Sequence, residues 1–247
     1  MKLFQKNEVT FAVLLIVIYV FAASAAQRIS ETIGIEFLAE TVCMIAMTAV
    51  LLLFIRKNGL SNYLGLKKPE VSSGRMLFYI PLALTASVAA FFGMGTEYSP
   101  LVSVLRFIMM CCVGFLEEVI FRGFLFRGIA KENLTRAVII SSLTFGIGHF
   151  VNILNGSDLF ENSVQVVYAA AVAFLLVLIF LRTSSILPCI AFHAFNNCLT
   201  AFTTGDILTG RLGERNSALL VVGIKILIAG AYLLYVSRLP KRDLPTD

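Results

Sequence analysis

The stretch VQVVYAAAVAFLLVLIFL, residues 164–181, decides the fold. It holds no charged residue and approaches the ~20 apolar residues that a helix needs to cross the hydrocarbon core of a bilayer. Seven more apolar windows flank it, at 9–26, 35–55, 76–94, 101–126, 137–154, 186–203 and 218–236. The composition agrees. Of 247 residues, 58 % are hydrophobic and 14 % charged, against roughly a quarter charged in an average soluble domain. Mean hydropathy is +0.88. A disulfide-rich secreted domain, a coiled coil, collagen and a disordered tail are all excluded. The expected fold is all-α, a polytopic membrane protein of about eight transmembrane helices. Residues 1–247 then form a single membrane domain with no room for a soluble one.

Charge sets the expected orientation. The net charge of +5 would suggest nucleic acid in a soluble protein, but here the basic residues sit in short loops, so no nucleic-acid partner is expected. With the N-terminus in the cytoplasm, the inner loops and tails hold Lys2, Lys6, Arg56, Lys57, Lys67, Lys68, Arg75, Arg122, Arg127, Lys131, Arg136, Arg182, Arg238, Lys241 and Arg242, fifteen in all. The outer loops hold three, Arg28, Arg211 and Arg215. Both termini are therefore expected inside. Arg106 and Lys225 fall within spans and are expected to snorkel from near the outer ends of their helices. The triplet Ala23-Ser24-Ala25 resembles a signal-peptide cleavage site, but the apolar run before it is long, and the first window is read as a retained helix. The cysteines (Cys43, Cys111, Cys112, Cys189, Cys198) lie in apolar stretches without metal-type spacing and read as small buried hydrophobes.

Charged groups at membrane depth cost about 2.5–3.5 kcal/mol on insertion scales and need a reason. The fourth window holds Gly114-Phe115-Leu116-Glu117-Glu118-Val119-Ile120-Phe121-Arg122. Glu118 and Arg122, four apart, share a helix face and can pair; Glu117 is turned about 100° away. Two adjacent carboxylates in a low dielectric do not both ionise easily without a cation. This suggests a division of labour, with Glu118 ionised against Arg122 and Glu117 left as general base. The two histidines both fall in windows: His149 closes Phe145-Gly146-Ile147-Gly148-His149, and His193 precedes Asn197 by one helical turn. Glu117, His193 and His149 lie ~13, ~10 and ~18 Å from the inner ends of their helices at 1.5 Å per residue, so one site is expected. Lower expectations attach to Glu36 and Glu40 at the interface, to Asn152 and Asn196 as helix–helix hydrogen bonders, and to Ala169-Ala170-Ala171 as a close-packing surface.

A Glu, two His and an Asn in a partly dry cavity suit hydrolysis by activated water. Glu117, helped by His149, takes the proton, and His193 with Asn197 donates to the oxyanion. The alternative is zinc on His149, His193 and Glu117, with water in the fourth position; no HExxH is present. A proton-coupled transporter is a third class, disfavoured because no inverted repeat is visible.

Glu117-Glu118-x-x-x-Arg122, Phe145-x-x-x-His149 and His193-x-x-x-Asn197, in this order on separate spans, resemble the three motifs of the CAAX-protease and bacteriocin-processing intramembrane protease family, related to the Ras-converting CAAX endopeptidases. The resemblance covers 101–203, a catalytic core in helices 4 to 7, and Asn62-Tyr63-Leu64-Gly65-Leu66 resembles a segment often seen before that core. It implies an intramembrane endopeptidase with Glu117 as base assisted by His149, His193 and Asn197 on the oxyanion side, Glu118 and Arg122 as supporting ion pair, and Phe145 in support. No cofactor is favoured, with zinc the alternative. The expected partners are the lipid bilayer and a peptide or protein substrate. The small size is similar to the bacterial branch, which implies a plasma-membrane protein acting in peptide maturation or in bacteriocin processing or immunity, its site opening toward the cytoplasmic half. The competing reading from the same residues is a non-catalytic immunity or scaffold protein.

Overall fold

The computed structural model describes residues 1–242 and 244, which are predominantly helical, with no strand among them. The helices are α1 (Lys2–Lys6), α2 (Glu8–Ile33), α3 (Leu38–Lys57), α4 (Ile80–Ser87), α5 (Pro100–Glu118), α6 (Arg127–Ala130), α7 (Leu134–Gly148), α8 (Val151–Leu154), α9 (Leu159–Thr183), α10 (Leu187–Ala201), α11 (Asp206–Leu212) and α12 (Glu214–Ser237). Each apolar window therefore contains helix. Six segments are long and apolar enough to cross a membrane: α2, α3, 73–92, 134–154, α9 and α12. The two windows outside this set are those of α5 and α10, which carry Glu117, Glu118 and His193. At 15 residues, α10 falls short of the ~20 needed for a full span.

Polar caps start the long helices where the sequence changes character. Side-chain oxygens of Asn7, Ser99, Asn133 and Asp158 accept from backbone N–H groups in the first turns of α2, α5, α7 and α9, satisfying donors that the helix leaves free. At the far end of α9, Arg182 turns back to donate to the carbonyls of Val236 and Ser237, at 3.2 and 3.0 Å. These are the last carbonyls of α12, a favoured place for a cation.

The third window is a broken span. Leu77, Phe78 and Tyr79 all have positive φ, so regular helix runs only over α4, flanked by 3₁₀ turns at Ser73–Tyr79 and Ala89–Phe92. Irregular backbone survives at membrane depth only where protein satisfies it. Tyr232 and Tyr235 of α12 do so, donating their hydroxyls to the carbonyls of Met76 and Arg75 at 2.7 and 2.9 Å.

The bundle closes as a ring: α2 packs on α3, α3 on α5, α5 on α10, α10 on α4, α4 on α12, α12 on α9, α9 on α7, and α7 on the segment that continues α5 back to α2. Two close crossings hold it. A Cβ on Gly114 would stand 2.7 Å from the backbone nitrogen of Ala194, and one on Gly146 would stand 2.7 Å from the Cβ of Ala170. The alanine run is thus the surface on which α7 approaches α9.

One end of the ring is sealed. Rings of Phe4, Phe11, Phe54, Tyr63 and Phe124 interlock edge to face or stacked, the Tyr63 hydroxyl donates to Glu8 at 2.6 Å, and the Arg127 guanidinium lies over the Tyr63 ring. Asn62-Tyr63-Leu64-Gly65-Leu66 is part of this seal, with Leu64 fully buried and the Gly65 carbonyl accepting from Ile186 N–H at 2.9 Å. Gly65 has φ +72 and a Cβ there would meet Phe180 at 2.6 Å, so only glycine fits. The start of α2 and the ends of α3, α9 and α12 meet here.

Candidate functional site

After Glu118 the chain does not continue as α-helix. Val119–Phe126 forms a π-helical segment with all eight residues buried, where the sequence pattern implied an unbroken α-helix. Such widened turns are rare and occur often at functional sites. The wide turn begins directly after the carboxylate pair. Three residues before that pair, Gly114 lets α10 come close, which sets His193 beside Glu117 and Glu118.

Glu118 is fully buried and Arg122 is 1 % exposed. Arg122 lies 3.0 Å from Glu118 Oε1, and its guanidinium stands 4.4 Å from the Phe145 ring centre. The same Glu118 oxygen meets His193 Nδ1 at 2.8 Å. Phe145 is buried and touches the rings of Phe121, His149 and His193, so it packs the site together and holds no polar role.

Glu117 keeps clear of Arg122. Its Oε1 accepts from the Tyr19 hydroxyl of α2 at 2.7 Å, and its Oε2 lies 3.5 Å from His193 Nε2. That gap is long for a direct hydrogen bond and suits a bridging water. The two carboxylates are divided as the helical spacing suggests. His149 was expected to assist Glu117, with His193 on the oxyanion side; in the structure His193 is the ring that lies between both carboxylates. Among the described residues, no hydrogen bond joins His149 to Glu117. His149 Nδ1 lies 3.0 Å from the Phe145 carbonyl oxygen, which can only accept, so Nδ1 carries the proton and Nε2 is left as an acceptor. Asn162 of α9 fixes this end of α7 by donating to the His149 carbonyl at 2.9 Å. Asn197 lines the same cavity as Glu117, His149 and His193, and its side chain makes no hydrogen bond within the described residues.

That cavity is about 1140 Å³. It is lined by the middle of α2, by α5 from Arg106 to Glu117, by the end of α7, by the first halves of α9 and α12, and by α10 from His193 onward. Its lining runs from Glu117 and His193 to Asn155, Thr203 and Glu214, at the end of the bundle away from the aromatic seal.

Three residues of the site escaped the sequence. Tyr19 lies in an apolar window with nothing to link it to a residue 98 positions on. Lys225 does not snorkel; it is 4 % exposed and turned inward, donating to Asn196 Oδ1 at 3.3 Å. Tyr168 donates to the same oxygen at 2.9 Å. Arg106, by contrast, stays near the outer end of α5, its guanidinium against the rings of Phe37 and Tyr98. For zinc, no group of three His, Cys, Asp or Glu among the described residues is placed to hold a metal ion. His149, His193 and Glu117 line one cavity without converging on a point.

Fold and site together define a polytopic membrane protein with a buried glutamate–histidine centre. Residues 99–199 match the family described as type II CAAX prenyl endopeptidase Rce1-like. Over this segment, which is less than half of the chain, the protein is similar to that endopeptidase family. The matched segment holds Glu117, Glu118, Arg122, Phe145, His149, His193 and Asn197, while Tyr19 and Lys225 lie outside it. No curated protein and no solved structure matches the chain.

Proposed function

We propose that the protein is a metal-free intramembrane endopeptidase that cleaves a membrane-associated peptide or protein with water activated by Glu117. The observation that carries this reading is the 3.5 Å gap between Glu117 Oε2 and His193 Nε2 on the floor of a large cavity. A water held there donates one proton toward each. Tyr19 occupies the other oxygen of Glu117, so Oε2 faces the water. Glu118 takes the Nδ1 proton of His193 in a hydrogen bond and fixes the ring, leaving Nε2 to accept; Arg122 neutralises Glu118 from below. Glu117 takes the water proton as oxygen attacks the peptide carbonyl, Asn197 donates to the oxyanion, and the proton passes to the leaving nitrogen, with His149 Nε2 as a second acceptor.

The charge distribution supports a membrane topology in which α5 and α10 complete eight crossings, with both termini in the cytoplasm. In that orientation the cavity reaches toward the outer side. The resemblance of the motifs fits a bacterial plasma-membrane enzyme of peptide maturation or of bacteriocin processing or immunity. The test is cleavage of short apolar peptides by the purified protein in liposomes. Wild type, Glu117→Gln and His193→Ala are run with and without chelator. Cleavage lost in both variants and indifferent to chelation is the expected result. Loss on chelation restored by zinc overturns the metal-free reading, and full biological activity of Glu117→Gln in cells overturns the peptidase reading in favour of a scaffold.

A further inference from the structure

We propose that Lys225, set by Asn196 and Tyr168, is a carboxylate-binding subsite in the same cavity, so that the substrate is anchored by a negative charge close to the bond that is cut. The inference rests on the peptidase reading for the nature of the ligand. Lys225 lies midway along α12, at the depth where an isolated charge is most costly. Its side chain is buried, yet it lines the cavity. Its neighbours are neutral: it donates to Asn196 Oδ1 at 3.3 Å and stands 5.0 Å from the centre of the Tyr168 ring. Among the described residues, none of the carboxylates lining the cavity, Glu117, Glu161 or Glu214, pairs with it.

The surroundings are built to hold the ammonium in place. Asn196 Oδ1 accepts from Tyr168 and Lys225 together, so the amide is fixed by one and orients the other. An ammonium carries three donors and here one is used, leaving two for an anion from the cavity. The position relative to the reacting groups is set by α10. Asn196 follows His193 by three residues, about one helical turn, and directly precedes Asn197. A carboxylate on Lys225 therefore lies within a few residues of extended peptide from a carbonyl at Glu117 and His193, at ~3.3 Å per residue. Two sources share this chemistry, the C-terminal carboxylate of a peptide and an acidic side chain near the cleavage point.

The test is binding, which separates it from the peptidase reading. Full-length protein carrying Glu117→Gln in detergent is titrated with three dansyl-labelled hexapeptides of Ala, Leu and Phe: one with a free C-terminus, its C-terminal amide, and an amide with one internal Glu. The expected result is that a carboxylate peptide binds about ten-fold or more tightly than the plain amide. That preference falls to about one with Lys225→Met and returns with Lys225→Arg; whichever of the two carboxylate probes shows it names the source. Asn196→Asp provides a variant that does not remove the charge. It places a carboxylate on the lysine from within and should also abolish the preference. Equal binding of all three peptides by the parent, or a preference that persists in Lys225→Met or Asn196→Asp, overturns the proposal. Absence of cleavage in the wild type does not bear on it, because no arm measures turnover.

Discussion

The Tyr19 hydroxyl of α2 donates to Glu117 Oε1 of α5 at 2.7 Å, joining the first long helix of the chain to the carboxylate on the cavity floor. Tyr19 is a positioning residue in this arrangement: it occupies one oxygen of Glu117 and thereby aims the other at His193. A hydrogen bond to a charged group contributes about 1.5–3 kcal/mol. Tyr19→Phe is expected to lower kcat about ten-fold or more with little change in KM, since the lost contact orients a reacting group and binds no substrate. Peptide cleavage in liposomes measures both constants, and an unchanged kcat would remove Tyr19 from the mechanism.

The Glu118–Arg122 pair is buried on both sides, so removing one member leaves a charge stranded in a dry interior. Arg122→Met is expected to destabilise the fold by about 3–5 kcal/mol. The double variant Arg122→Met with Glu118→Leu is expected to cost less than the two single changes added together. Denaturant unfolding of the four proteins in one detergent gives the comparison; strict additivity would show that the pair is not coupled.

Gly114 is where α5 and α10 meet. Gly114→Ala sets a methyl 2.7 Å from the Ala194 nitrogen, and backbone has to move to admit it. Overpacking of this kind costs about 1–3 kcal/mol, and a widened crossing also separates His193 from Glu117. Gly223→Ala, where nothing lies within 4 Å, is the matched control. Thermal stability and cleavage rate should both fall in the first variant and hold in the second.

The sealed end of the bundle predicts sensitivity to alkali. Burial, reinforced by the hydrogen bond to Glu8, raises the Tyr63 hydroxyl above the usual tyrosine range despite opposition from Arg127. Burial lowers the Lys131 ammonium, but Glu8 and Tyr63 outweigh it and hold it above the usual lysine range. A pKa raised on folding gives stability that is complete below the unfolded value and is lost as pH climbs through the folded one. The unfolding temperature is therefore expected to hold up to about pH 9 and decline above pH 10, with a shallower decline in Tyr63→Phe. An identical slope in both proteins would show that Tyr63 does not contribute.

The spans were legible because a period-free apolar run of near-bilayer length has few other destinies in a chain this poor in charge. The Glu118–Arg122 pairing was equally legible, since residues four apart on one helix meet whatever surrounds them. The break inside the third window was not legible. Its apolar residues say nothing about Leu77, Phe78 and Tyr79 turning left-handed, a conformation stabilised from outside by Tyr232 and Tyr235. The π segment after Glu118 was invisible for a similar reason: π and α turns use the same residues, and packing selects between them.

The identities of Glu117, His149, His193 and Asn197 as cavity residues came from the sequence, because a polar group inside an apolar span has to face something polar. Their mutual roles did not. Helical depth places a residue along the membrane normal but leaves its azimuth open, and azimuth depends on how helices cross. The Gly114–Ala194 crossing is what put His193, and not His149, beside Glu117.

Local chemistry therefore determined what the sequence could determine: helices, their polar faces, and a basic end distinct from one poor in basic residues. Only the tertiary structure decided that Tyr19 and Lys225 line the same cavity as Glu117 and that this cavity extends away from the sealed end. Those facts rest on contacts between residues tens of positions apart, and no periodicity within one helix encodes the rotation of its neighbour.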